Sequence, residues 1–66
     1  MINNTKILKV LEKTDWGYSL TDLTILTKLS KDQVRISISF LLGAKLIEEY
    51  QIGMAKIYNL KKQNGK

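Results

Sequence analysis

Within "SKDQVRISISF", residues 30–40, lie several side chains able to read or hold a polyanion. The Arg35 guanidinium is a planar fork of donors that matches guanine O6 and N7. The Gln33 carboxamide offers the donor–acceptor pair that adenine presents. Ser30, Ser37 and Ser39 carry hydroxyls that can donate to phosphate, and Ile36 can touch a thymine methyl. Lys28, Lys31, Lys56, Lys61 and Lys62 form a candidate phosphate-binding rim. Blander readings stand beside these. Arg35 can be a solvated charge or pair with Asp32 one turn away, and the Lys residues can be a solvated face.

Other chemistry has little to work with. The 66 residues include no His and no Cys. That removes disulfides, the usual zinc ligands, a Ser–His or Cys–His dyad and the commonest general base. No catalytic residue, metal ligand or cofactor site is expected. The net charge of +5 favours a polyanionic partner, and double-stranded DNA is the expected one. A homodimer or a protein partner stays open. No apolar run approaches the ~20 residues of a membrane span. The start, "MINNTKILKV", lacks the layout of a signal peptide, so a cytoplasmic location is expected.

Elements must position these groups, and a chain this short implies a single domain over residues 1–66. Asn3 or Asn4 can cap a first helix with Ile7, Leu8 and Leu11 on its inner face. Gly17 can end it in the left-handed conformation. Trp16 is expected to plug the nearby end of the core. Ser19 and Asp22 make a capping box for a second helix with Leu20, Leu23 and Leu26 inward. Ser30 and Gln33 make another.

The segment after Ser30 is ambiguous. Arg35-Ile36-Ser37-Ile38-Ser39-Phe40 alternates like a half-buried strand. Val34, Ile38 and Leu41 nevertheless fall within roughly 60° on a helical wheel. The cap and this spacing predict a helix from Lys31 to about residue 44, ending near Gly43 to Lys45. Its exposed face would carry Asp32, Gln33, Arg35, Ile36, Ser39 and Gly43. Phe40, at the edge of that face, is expected to fill the core, since a small domain rarely leaves a Phe out. Residues 46–60 read as a β-hairpin turning at Gly53, with Tyr50, Ile52, Ile57 and Tyr58 as strand residues. Tyr18, Tyr50 and Tyr58 are expected to pack with their hydroxyls at the surface. Residues 61–66 read as a frayed tail.

Helix, helix, tight turn, helix, hairpin is the order of a winged helix-turn-helix, a mainly α fold with a small β-hairpin. Ser19 to Leu60 resembles the winged-helix domain of prokaryotic transcriptional regulators of the multiple-antibiotic-resistance and arsenical-repressor types. The resemblance rests on Leu23, Leu29-Ser30, Val34, Ile38, Leu41, Leu46-Ile47 and Tyr58-x-Leu60. Lys28 and Lys45 stand where the family usually has Gly. The resemblance implies that helix three enters the DNA major groove, with Gln33, Arg35, Ile36 and Ser39 toward bases. The wing would lie on the backbone or minor groove, and Lys28, Ser30, Lys31, Lys56, Lys61 and Lys62 would contact phosphate. Its tip, "IGMAK", carries one basic residue where more would be usual. The alternative is a protein-interaction winged helix that uses an Ile36/Phe40 ridge and the apolar tip.

Overall fold

A computed structural model describes residues 2–61. Helix α1 spans Ile2–Leu11, α2 Leu20–Thr27 and α3 Lys31–Gly43. Strands are β1 (Tyr18–Ser19), β2 (Ile47–Ile52) and β3 (Ala55–Leu60). The antiparallel sheet has the order β1-β3-β2. This is a winged helix-turn-helix, as the element order predicts, with a first strand that the sequence reading did not contain. Residues 62–66, most of the stretch read as a tail, lie outside the description. Lys61 is not frayed: its N–H donates to the Leu46 carbonyl at 3.0 Å, continuing the β2–β3 ladder.

The predicted α3 forms despite its β-branched residues. Ser30 Oγ accepts from the Gln33 N–H at 3.1 Å, and Gln33 Oε1 accepts from the Ser30 N–H at 3.0 Å. Val34, Ile38 and Leu41 are buried with Ile7, Leu11, Leu23, Ile47 and Tyr58 in one core. That burial offsets the poor propensity of the segment. Ser19 and Asp22 cap α2 in the same reciprocal way.

Several placements differ from expectation. Asn3 and Asn4 lie inside α1 rather than ahead of it, and Asn4 is buried. On α2, Thr27 is buried and Leu26 is half exposed. At ~100° per residue, Leu20, Leu23 and Thr27 lie within ~60° of each other, while Leu26 falls on the far side of Leu23. The Thr27 hydroxyl donates to the Leu23 carbonyl at 2.6 Å, which makes its burial tolerable. Phe40 is 58% exposed, not in the core. It sits ~120° from the centre of the buried stripe, whereas Ser37, ~60° from Val34, is taken inside.

Trp16 is exposed rather than a plug. Thr14 Oγ1 accepts from the Trp16 and Gly17 N–H groups, each at 3.1 Å, and this turn directs the indole outward. Asn59 ties down that end instead, donating from Nδ2 to the Asp15 carbonyl at 3.2 Å. Gly17 does have a left-handed φ of +93°, but α1 has already ended at Leu11. The glycine serves the close passage of this segment against β3.

Both Lys residues that replace the expected glycines are left-handed, with φ of 62° at Lys28 and 61° at Lys45. After α2, the Lys28 N–H donates to the Thr24 carbonyl at 2.9 Å, a single-bond left-handed stop. After α3, the Leu46 N–H reaches the Leu41 carbonyl and the Lys45 N–H the Leu42 carbonyl, each at 3.0 Å. That paired pattern is a Schellman stop. The hairpin closes through Gly53-Met54, with Ile52 opposite Ala55 and Gly53 at φ +60°.

Candidate nucleic-acid interface

Helix α3 presents two different exposed flanks. Arg35 and Ser39, one turn apart, lie on the flank toward the wing. Gln33, Ile36 and Phe40 lie on the flank toward α1. The first flank opens into a cleft of about 700 Å³. Arg35, Ser39 and Leu42 form one wall, Ser19 and Thr21 at the start of α2 another, and Glu49, Lys56 and Tyr58 of the wing the third. Residues distant in sequence thus bring two cations and one carboxylate into a single concavity. The start of α2 adds the positive end of a helix dipole to its wall.

Tyr58 forms the base of this cleft. Burial chiefly pushes its phenol above the ordinary value; the neighbouring Glu49 carboxylate adds to the rise, and the Arg35 charge opposes it. Glu49 and Tyr58 are cross-strand partners, so their side chains share one face of the wing. Tyr50, on the other face of β2, also has its phenol raised, first by a hydrogen bond to Glu48.

The remaining predicted residues are dispersed. Gln33 is exposed, but its carboxamide oxygen already accepts from the Ser30 N–H. Bidentate contact with adenine would require that oxygen to accept a second hydrogen bond while holding the cap. Lys28, Ser30 and Lys31 are exposed at the turn between α2 and α3, outside the cleft. Lys61 lies at the opposite end of β3 from Lys56, in a hollow with Glu12 and Asp15. Lys62 lies outside the described residues. Ser37 is 3% exposed, which withdraws it from phosphate contact.

Ile36 is 67% exposed, and with Phe40, Gln33, Ser37, Asn3 and Asn4 it lines a separate, mainly apolar hollow of about 250 Å³. Sequence reasoning missed Ser19, Thr21, Glu49 and Tyr58 as cleft residues. The α2 cap box and the hairpin were legible, but not that β1 draws the start of α2 beside β3. Among the described residues, no group of three or more His, Cys, Asp or Glu side chains comes together to hold a metal. No helix there is long and apolar enough to cross a membrane.

No family model matches the chain, and no curated protein matches it. Among solved structures it is similar to the apo Zα domain of zebrafish PKZ, with a TM-score of 0.78 and 17% identity. That match covers 89% of this chain and 91% of the other. A likeness at this identity shows the fold: the chain is a winged helix-turn-helix. It lends nothing specific to the prokaryotic regulator families that the sequence resembles.

Proposed function

We propose that this chain binds double-stranded DNA, seating the phosphate backbone in the cleft between α3 and the wing. The observation that carries this reading is the convergence of Arg35, Ser39 and Lys56, from α3 and β3, on one concave surface. The overall charge of +5 supports it. In this reading Lys56 and Ser39 hold phosphate, and Arg35 reaches past them to a base edge in the groove. Lys28, Ser30 and Lys31 extend phosphate contact around the start of α3. Gln33 keeps its capping role and offers its amide N–H groups. A part in transcriptional regulation rests on the sequence resemblance to prokaryotic regulators.

Titrating mixed-sequence duplexes at two salt concentrations tests this. Lys56→Ala is expected to weaken binding to all sequences about equally and to lower the salt slope by roughly one. Arg35→Ala is expected to cost about 1–3 kcal/mol on a preferred site and little on random duplex. Dissociation constants weaker than about 10⁻⁴ M at low salt refute the proposal.

The exposure of Ile36 and Phe40 favours a second reading, a protein-interaction winged helix that uses their shared hollow. It predicts that Ile36→Ser abolishes capture of a partner while Arg35→Ala and Lys56→Ala leave it intact.

A further inference from the structure

A carboxylate on the wall of a phosphate cleft calls for a reason. Glu49 lines that cleft, is exposed, and shares a face of the wing with its cross-strand partner Tyr58. Arg35 lines the same cleft from α3. Both charges act on the Tyr58 phenol, with opposite sign, so the two side chains flank one ring. An ionised carboxylate only accepts hydrogen bonds, and a guanidinium only donates them. The cleft therefore presents a donor fork and an acceptor beside each other.

Phosphate oxygens are acceptors and have no use for Glu49. A base pair does. In the major groove a G·C pair shows two acceptors, guanine N7 and O6, followed by one donor, the cytosine N4 amino group. O6 and N4 are joined by a base-pairing hydrogen bond, ~3 Å apart. Reading that edge requires a donor and an acceptor at close quarters, which is what Arg35 and Glu49 supply. Thymine would place its O4 acceptor against the carboxylate, and that mismatch excludes the wrong pair.

We propose that Arg35 and Glu49 together read one G·C pair, Arg35 donating to guanine O6 and N7 and Glu49 accepting from the cytosine amino group. This rests on the DNA-binding reading. It makes Glu49 a specificity residue, whose charge weakens binding to every duplex and is offset only where a cytosine amino group meets it.

The test selects preferred sites from a randomised duplex pool with the full chain, then follows binding to the selected duplex by anisotropy. Two base analogues probe the G·C pair. 7-Deazaguanine lacks N7, and N4-methylcytosine keeps its pairing but fills the groove side of the amino group. Each is expected to weaken binding of the parent protein roughly fivefold or more. Glu49→Ala is expected to lose the sensitivity to N4-methylcytosine and keep that to 7-deazaguanine. Arg35→Ala is expected to do the converse. Glu49 and Arg35 are both exposed, and melting curves check that the variants fold. If Glu49 merely orients Arg35, Glu49→Ala loses the sensitivity to 7-deazaguanine and N4-methylcytosine leaves the parent unaffected, which overturns the proposal. Binding without sequence preference overturns it too and leaves the DNA reading standing. An absence of anisotropy change on any duplex overturns both.

Discussion

Gly17 and Tyr58 meet backbone to backbone: a Cβ at position 17 would stand 2.5 Å from the Tyr58 carbonyl oxygen and 2.8 Å from Ile57 Cγ2. The same glycine holds a φ of +93°. Both facts follow from β1, which pairs Tyr18 with Tyr58 and so draws the preceding residue against β3. Gly17→Ala faces a backbone clash as well as left-handed strain, and is expected to destabilise the fold by about 2 kcal/mol or more. Urea denaturation measures this. A midpoint unchanged from the parent would show that β1 can move away at no cost.

Lys28 and Lys45 offer the opposite case. Each is left-handed at a helix stop where Gly would be unstrained. A left-handed L-residue costs roughly 1–2 kcal/mol, and glycine's extra chain entropy returns about 0.5–1 of that. Lys28→Gly and Lys45→Gly are each expected to gain up to about 1 kcal/mol. In a domain of this size that raises the melting temperature by roughly 4–8 °C per kcal/mol. A fall in melting temperature for both would refute the cap geometry.

Ile38 and Phe40 separate the helical reading of "RISISF" from the extended one. A strand would place them on one face, whereas in α3 Ile38 is 4% exposed and Phe40 58%. Ile38→Ala is expected to cost about 2–5 kcal/mol. That is a large part of the ~3–10 kcal/mol available to a chain this short. Phe40→Ser is expected to change stability by no more than about 0.5 kcal/mol, as for an exposed position. Similar losses from the two substitutions would place them together and contradict the helix.

These residues also show what was legible in the sequence. The two capping boxes and the 34/38/41 spacing located α2 and α3, because caps and helical period act locally. The hairpin was visible for the same reason, through its glycine and its strand residues. Phe40 was misjudged because its type was weighed above its angle on the wheel. Trp16 went astray because the Thr14 turn that directs it outward leaves no periodic trace. The cleft was only half visible. Arg35, Ser39 and Lys56 belong to elements that could be read, but Ser19 and Thr21 reach them only through β1, two residues whose pairing partner lies far along the chain.

Tyr58 makes stability depend on alkaline pH. Its phenol is raised above the ordinary 10.0, chiefly by burial. The folded state thus binds that proton more tightly than the unfolded chain does. The contribution is complete below about 10 and is lost as pH climbs through the raised value. Urea unfolding at pH 9 and pH 11 is expected to show a larger loss of stability for the parent than for Tyr58→Phe. Equal losses would mean that the phenol ionises in the fold as freely as in the unfolded chain.

Among the described residues, Glu49 is the one carboxylate lining a cleft whose other charges are Arg35 and Lys56. A phosphate entering that cleft meets it as a like charge. Two unit charges ~4 Å apart in water interact by about 1 kcal/mol, and more where solvent is partly excluded. Glu49→Gln is therefore expected to tighten binding of mixed duplex by roughly 1 kcal/mol, about fivefold, at low salt, with the gain shrinking as salt screens it. Glu48→Gln is the matched control. It removes the same charge from the neighbouring residue, but Glu48 is hydrogen-bonded to Tyr50 on the opposite face of β2. The Tyr58 phenol reports independently, since losing Glu49 removes two of the causes that raise it. A spectrophotometric titration of Glu49→Gln should therefore show a lower phenol value without any DNA present. Equal tightening by the two substitutions would assign the effect to net charge alone and remove the cleft as the place where phosphate sits.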